Sequence, residues 1–208
     1  QINGLSTTDM SDFTTTQVAA LTTTQVRGLS ETNIGALADT QIGALTSTQI
    51  ASLTVANLTA LDATQVGTLT TTQLSSLNGT QLAGLIAADM AEFTADQIGS
   101  FTATQARSLT ATSLADLADT QIQAFSTTSL RSITATAFGS LSETQLGALT
   151  TAQVSSLGTA QLTALNSTKF AAFTEAQIEA LTTTQVAGIS NTNLTALGDT
   201  QLASLTAT

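Results

Sequence analysis

The sequence contains no cysteine, proline, histidine, tryptophan or tyrosine. Without histidine and cysteine, the most common general bases, thiol nucleophiles and zinc or haem ligands are absent. No disulfide can form, and the lack of cysteine fits the cytosol and the bacterial exterior equally well. We therefore predict that the chain is not an enzyme. We assign it no catalytic, cofactor-binding or metal-binding residue and no cofactor.

Positive charge is also scarce. Arg27, Arg107, Arg131 and Lys169 are the only basic residues, and the net charge is −10. Such a chain repels a phosphate backbone, so we expect no nucleic-acid partner. No apolar run approaches the roughly 20 residues of a membrane span, and we recognise no signal-peptide pattern. Composition is uniform throughout, which predicts one continuous body over residues 1–208.

Large apolar residues are present, in two series that each recur every eight residues. One series runs from Leu5 to Leu205, and the other runs from Ile2 to Leu202 with one interruption at Ala106. The spacing between the series alternates three and five, so a β-strand would point them to opposite faces. In one continuous helix, eight residues turn through about 800°, and the apolar stripe would spiral around the rod. Each octad is therefore predicted to be a short helix followed by a turn.

The polar residues of the octad support this interpretation. In "LTTTQV", Thr22 and Gln25 have the spacing of a capping box, and Leu21 and Val26 have that of a hydrophobic staple. Small residues at the position of Gly28 would let neighbouring helices approach closely, as they would in the other octads at Ala20, Ala36, Ala44 and Ser52. The glutamine could also form a ladder between layers, although capping alone accounts for it.

Charged residues follow the same frame. Six acidic residues fall at the predicted first helical position, namely Glu31, Asp39, Asp119, Glu143, Glu175 and Asp199. The three arginines fall near helix C-termini, so both signs suit the helix dipole. We interpret the acidic residues as solvated helix starts rather than as catalytic groups or calcium ligands, since no "DxDxDG" loop occurs.

A helix of two turns is marginal by itself and needs lateral packing. The predicted fold is therefore all-α, a solenoid or superhelix of short capped helices with one helix per eight-residue repeat.

A longer period lies within the short one. Residues other than glutamine at the third helical position recur with a step of 80, at Asp9, Asn33, Asn57, Asp89, Ser113, Ala137, Lys169 and Asn193, with Ser129 as an extra case. Within each 80-residue unit these octads are three, three and four apart. If they lie along one edge, a coil contains about 3.3 octads or roughly 27 residues, and helix packing predicts a rod of roughly eight coils and about 70–80 Å. Inheritance of arbitrary substitutions by duplication is the alternative.

Threonine dominates one further position, at Thr16, Thr24, Thr32, Thr40 and Thr48. A flat ladder of threonines is typical of ice-binding proteins. Threonine also serves as a cap and first-turn residue, which is the explanation we favour.

The segments "ALTTTQVAGI" (180–189) and "ALADTQIGALTSTQIASL" (36–53) resemble the ALTTxQV octapeptide arrays of large bacterial surface and secreted proteins of adhesin type. The resemblance covers the whole chain. It implies an extracellular or cell-surface stalk, spacer or filament and carries over no functional residue.

The 26 octads include no polar end-repeat of the kind that solenoids use for solubility. We expect the chain to be an excerpt of a longer array or to stack end to end on other copies of itself. The predicted function is a structural repeat region, acting as a rod-like spacer or self-assembling fibre. The alternative is a module that binds ice or glycan through a regular threonine-rich face.

Overall fold

The structure is a computed structural model, and it describes residues 2–205 apart from the side chain of Asn3. Within that range the chain is helical throughout and has no strand. A 3-10 turn, Ile2–Gly4, precedes α1 (Thr7–Ser11), α2 (Thr15–Ala19), α3 (Thr23–Arg27), α4 (Glu31–Gly35), α5 (Asp39–Gly43), α6 (Ser47–Ser52), α7 (Val55–Thr59), α8 (Ala63–Gly67), α9 (Thr71–Leu74), α10 (Gly79–Gly84), α11 (Ala87–Ala91), α12 (Ala95–Gly99), α13 (Ala103–Arg107), α14 (Ala111–Leu114), α15 (Asp119–Ala124), α16 (Thr127–Ser132), α17 (Ala135–Phe138), α18 (Glu143–Ala148), α19 (Thr151–Ser156), α20 (Thr159–Thr163), α21 (Ser167–Ala171), α22 (Glu175–Glu179), α23 (Thr183–Ala187), α24 (Asn191–Leu194) and α25 (Asp199–Leu205).

Each helix begins at the residue that the capping pattern predicts. Before α3, Thr22 is extended with φ −72° and ψ 156°. The Gln25 N–H donates to the Thr22 hydroxyl oxygen at 3.2 Å, and the Thr22 N–H donates to Gln25 Oε1 at 2.7 Å. At Ala38, Ala118 and Gly158 the side chain has no acceptor, so only the bond from the backbone N–H to the following glutamine forms. The capping box is confirmed in its complete form at most helix starts.

Each helix ends without a left-handed residue. The C-cap Gly28 is right-handed with φ −85° and ψ −1°, and the next residue, Leu29, donates its N–H to Val26 O at 3.2 Å. Ser30 then starts the next helix in the extended region with φ −70°. Within residues 2–205 no residue has positive φ. The turn therefore requires neither glycine nor proline, which explains how the repeat continues without proline.

The charged residues that were assigned to helix ends lie at the predicted positions, where the helix dipole favours them. All six predicted acidic starts are the first residues of their helices, which are α4, α5, α15, α18, α22 and α25. Arg27, Arg107 and Arg131 lie in the last turns of α3, α13 and α16.

Both apolar series point into one core, as predicted. Ile98 is 0% exposed and Phe101 is 2% exposed, and the same pairing repeats along the chain from Leu29 to Leu181. Residues of these series in the first and last described coils, such as Leu5 and Leu202, are only partly buried, because a neighbouring coil covers them on one side alone. None of the helices within residues 2–205 combines the length and apolar character that crossing a membrane requires.

Successive coils are close to the predicted size. Helices pack against the helix three places farther along, as α3 does with α6 and α13 with α16. Side-chain hydrogen bonds between coils join residues from 25 positions apart, as from Gln123 to Ala148, to 31 positions apart, as from Gln97 to Val66. A coil is thus longer than three octads and shorter than four, in agreement with about 3.3.

Most of the octads without glutamine at the third helical position lie beside another such octad in the next coil. Among them, α1 packs on α4, α4 on α7, α11 on α14, α14 on α17, and α21 on α24. Their steps of three and four octads straddle the coil length, which is the arrangement that the geometric explanation predicts.

Candidate functional site: the contact between coils

The glutamine at the third helical position joins each coil to the preceding one. Gln41 Nε2 donates to Phe13 O at 2.6 Å and to Met10 O at 3.1 Å, which lie 28 and 31 residues earlier. Gln41 Oε1 accepts the N–H of Ala38 at 2.6 Å. One amide therefore starts its own helix and also binds two carbonyl groups at the end of a helix in the previous coil. The Met10 carbonyl also accepts the N–H of Phe13 at 3.4 Å, so the amide is an additional donor to it. We call this arrangement the glutamine bridge.

The bridge recurs along the rod with the same two acceptors. The carbonyls of the residues 28 and 31 positions earlier receive bonds from Gln49, Gln81, Gln97, Gln105, Gln121, Gln145, Gln153, Gln161, Gln177 and Gln185. These side chains are buried. The ladder between layers, which the sequence left as an addition to capping, is therefore present, and each glutamine serves both roles.

Gln17 and Gln25 show what happens without a preceding coil. Both side chains keep the capping bond, from Thr14 N–H at 2.8 Å and from Thr22 N–H at 2.7 Å. Both residues are exposed, since the chain supplies no acceptor one coil earlier. Burial of the glutamine thus comes from the coil contact rather than from capping.

Shorter residues make a partial bridge. Asn57 Nδ2 donates to Leu29 O at 2.9 Å, and Ser129 Oγ donates to Phe101 O at 2.6 Å, each 28 residues earlier. Lys169 Nζ instead reaches Gly139 O at 2.7 Å. Asp89 has no donor on an ionised carboxylate and only accepts the N–H of Ile86 at 2.8 Å. The exceptional octads are therefore held to the preceding coil by fewer hydrogen bonds.

Small residues allow the backbones of successive coils to approach closely, as predicted. The glycines that make this contact lie one position earlier in the octad than the predicted small residue. A Cβ added to Gly35 would lie 3.0 Å from Ala60 O, and one added to Gly99 would lie 3.0 Å from Ala124 O, in each case in the following coil. Ala60 and Ala124 occupy the octad position at which small residues were predicted. Gly35 and Gly99 lie one residue before that position in their own octads. Backbone therefore touches backbone where the sequence supplies glycine.

The threonines considered for ice binding lie outside the core. Thr16, Thr24, Thr32, Thr40 and Thr48 are all exposed. Thr16 and Thr40 are three octads apart, which is a shorter step than the 25 to 31 positions that hydrogen bonds between coils span. Equivalent threonines can therefore follow one another only by steps of three or four octads, which differ from the coil length, so no column of them is evenly spaced.

Acidic groups show two displaced pKa values. The side-chain hydroxyl and backbone N–H of Ser6 lower the pKa of Asp9 by hydrogen bonding to its carboxylate. Burial raises the pKa of Glu92, and the nearby charges of Asp89 and Asp62 raise it further. In the described part of the chain, no group of three acidic side chains is arranged to hold a metal ion.

Comparison with known proteins identifies the repeat. The model of the ALTTAQ repeat matches residues 143–175 and 154–191. No curated protein matches the chain. The matched region carries the same capped octads, glutamine bridges and paired apolar residues as the rest of the rod. Residues 143–191 therefore match the ALTTAQ repeat, and the chain is a helical repeat protein built from octapeptides.

Proposed function

We propose that the chain is the structural repeat region of a bacterial extracellular stalk, adhesin or filament, where it acts as a rod-like spacer. The observation that carries the proposal is the range of the contacts between coils. Hydrogen bonds between separate helices span only 25 to 31 positions, so each coil is held by the coils beside it. In such a solenoid, length grows in proportion to the number of repeats.

The mechanism is mechanical and involves no catalysis. Each added octad contributes one capping box, one pair of core residues and, in most octads, one glutamine bridge. Extension therefore requires no new design of the core, and an array can be lengthened by duplicating octads. The resemblance to octapeptide arrays of surface and secreted proteins supports an extracellular location.

The two end faces suit further coils of the same kind. At one end the exposed amides of Gln17 and Gln25 have no coil to bridge to. At the other end Leu194 is 38% exposed, and Ile189 and Leu202 are only partly buried. The proposed partners are therefore more octads, supplied by the rest of a long array or by other copies of the chain.

The proposed spacer role is tested by measuring how the length of the rod depends on the number of octads. The chain contains a whole number of octads, so a tandem duplicate of its 208 residues continues the octad without a break. Negative-stain electron microscopy should show rods of unchanged width and doubled length for the duplicate. Rods of equal length, closed rings or compact particles would overturn the proposal.

Location is tested separately. Antibodies against the chain should label intact cells of the source bacterium, and added protease should remove that label without cell lysis. Labelling that appears only after lysis would reject the extracellular part of the proposal and leave the spacer part standing.

The exposed threonines support a second candidate, a module that binds ice or glycan. A flat lattice requires evenly spaced columns of threonine, and the unequal steps between equivalent threonines favour the spacer instead. An assay of ice recrystallisation inhibition with the full chain distinguishes the two, because activity at low micromolar concentration would support the binding module.

A further inference from the structure

The arginines of the rod line grooves that the spacer function does not use. Arg27 lines a groove of about 780 Å³ together with Thr54, Val55 and Asn78. Arg131 lines a second groove of about 470 Å³. Each groove crosses three successive coils, because its walls come from segments about one and two coils beyond the arginine.

The two grooves are lined by residues at equivalent octad positions in different parts of the rod. Arg27, Val55 and Asn78 correspond to Arg131, Thr159 and Thr182 at a constant shift of thirteen octads. Arg107 occupies the equivalent octad position one coil before Arg131, and α13 packs directly on α16. We call these three residues, Arg27, Arg107 and Arg131, the arginine row.

The arginine row has no partner within the molecule. All three side chains are exposed. Within residues 2–205 none of the three guanidinium groups forms an ion pair or a hydrogen bond, although the chain contains 14 acidic residues. Their charges therefore remain free for another molecule.

Most of the acidic residues lie along a different line. Five pairs share one offset of roughly 27 residues, the length of one coil. These pairs are Asp12 and Asp39, Asp62 and Asp89, Asp89 and Asp116, Asp116 and Glu143, and Glu92 and Asp119. With Asp9 they form a set of nine, which we call the acidic edge. None of the nine is buried.

Six of the nine residues lie at helix starts, where capping or the dipole favours them, but capping does not explain Asp12, Glu92 and Asp116. Asp12 and Glu92 are the C-cap residues of α1 and α11, and Asp116 directly follows the C-cap of α14. Negative charge is unfavourable at a helix C-terminus. The charges of Asp89 and Asp62 also contribute to raising the pKa of Glu92, so members of the edge repel one another across coils. The three carboxylates at helix C-termini therefore lower the stability of the fold.

The arginine row and the acidic edge lie on different sides of the rod. Arg27 lies near the middle of the stretch of chain between Asp12 and Asp39. Arg131 lies midway between Asp119 and Glu143. Because each of these stretches is close to one coil of roughly 27 residues, each arginine is half a coil away from the edge.

We propose that copies of this chain associate side by side, with the acidic edge of one rod against the arginine row of the next. Carboxylates are the natural partners of guanidinium groups, and the grooves beside Arg27 and Arg131 give a carboxylate side chain room to enter. On both surfaces the charged residues are spaced along the axis by whole coils of the same solenoid. A second copy of the chain therefore has the matching spacing.

The net charge of −10 does not prevent this contact at physiological salt. The Debye length is then about 8 Å, which is less than the roughly 10 Å diameter of one helix and so less than the width of the rod. Facing charges therefore dominate over charges on the far sides. The two surfaces differ, so the contact does not close on itself and joins rods into sheets.

Charge exchange tests the inference on the full chain. One variant carries R27E, R107E and R131E, and the other carries D12K, E92K and D116K. The second set places lysine at helix C-termini, where positive charge is favourable, so this variant is expected to fold. In sedimentation velocity at high micromolar concentration and about 0.15 M salt, the parent chain should show faster species that disappear at about 1 M salt. Each variant alone should lose the faster species.

A mixture of the two variants should restore the faster species, because the lysine edge of one meets the glutamate row of the other. The control E31K/E175K/E179K changes charge equally away from the acidic edge and should keep the association. A parent chain that stays monomeric, association that ignores these substitutions, or a mixture without recovery would overturn the inference. None of these results affects the rod length that tests the spacer.

Discussion

Gln97 Nε2 donates to the carbonyl oxygen of Leu69 at 2.9 Å, 28 residues earlier and one coil away. The same nitrogen donates to Val66 O at 2.8 Å, while Gln97 Oε1 accepts the N–H of Thr94 at 2.9 Å. One side chain thus starts a helix and fixes that helix to the previous coil.

Gln97→Glu should separate these two roles. The carboxylate can still accept the N–H of Thr94, but it cannot donate to the two carbonyls and it places a charge in a position that is 4% exposed. Val66 O keeps the N–H of Leu69 as a donor, but Leu69 O loses the Gln97 donor. The lost hydrogen bonds and the buried charge predict a decrease of about 2–3 kcal/mol in the free energy of unfolding. Urea denaturation followed by far-ultraviolet circular dichroism measures the loss.

Gln25→Glu is the matched control, since Gln25 has the capping bond and no bridge. Its free energy of unfolding should change by less than about 0.5 kcal/mol. Equal effects of the two substitutions would show that the bridge contributes nothing beyond capping.

Ile86 occupies an N-cap where most octads carry a hydroxyl. Its backbone is extended with φ −89° and ψ 175°, and its side chain is 54% exposed and makes no cap bond. Ile86→Thr should therefore stabilise the chain by about 1 kcal/mol by capping α11. Thermal and urea unfolding measure the gain. Ile86→Val has nearly the shape of threonine without the hydroxyl, so a similar gain for valine would refute capping as the cause.

Gly67 and Gly99 occupy the same octad position as the last residues of α8 and α12. An added Cβ at Gly67 meets nothing within 4 Å, whereas one at Gly99 lies 3.0 Å from Ala124 O. Gly67→Ala should raise the free energy of unfolding by about 0.5–1 kcal/mol through helix propensity. Gly99→Ala should lose that gain or destabilise the rod, because a backbone carbonyl would have to move. Urea midpoints of the two variants decide this, and equal gains would contradict the close contact.

Glu92 makes stability depend on pH in an unusual direction. Burial, with the charges of Asp89 and Asp62, raises its pKa in the folded state above the usual value of a glutamate. The folded state then binds more protons than the unfolded state in the window between the two pKa values, so this contribution to stability falls as pH rises through the window. Glu92→Gln should raise the melting temperature at pH 7 and leave it nearly unchanged well below pH 4.5. A gain of the same size at both pH values would contradict the pKa shift.

The local part of the fold follows from single octads. The distance from Thr22 to Gln25 is enough to predict where α3 begins, because a capping box closes within one helical turn. The pairing of Leu21 with Val26 is enough to place both residues in one core. Glu31 and Asp39 lie at the first helical positions that the capping pattern predicts, and the helix dipole favours them there.

The residues that bind one another between coils could not be predicted from a single octad. The step of ten octads indicated the coil length, but nothing in the octad around Gln97 identifies Leu69 as its acceptor. The acidic edge shows the same limit. Asp62, Asp89 and Asp116 occupy different octad positions, as an N-cap, a third helical residue and a residue beyond a C-cap, so the eight-residue period hides their alignment. A search for acidic residues that recur with a step of one coil would have found it.

By itself, the sequence determined where the backbone begins and ends each helix and which side chains point inward, because capping, dipole and apolar spacing act over fewer than about eight residues. Only the tertiary structure decided which carbonyls the glutamines bind, where backbones touch and which charges share an edge. These depend on how many octads complete a turn of the rod, and that number results from the packing of whole helices on one another rather than from any one repeat.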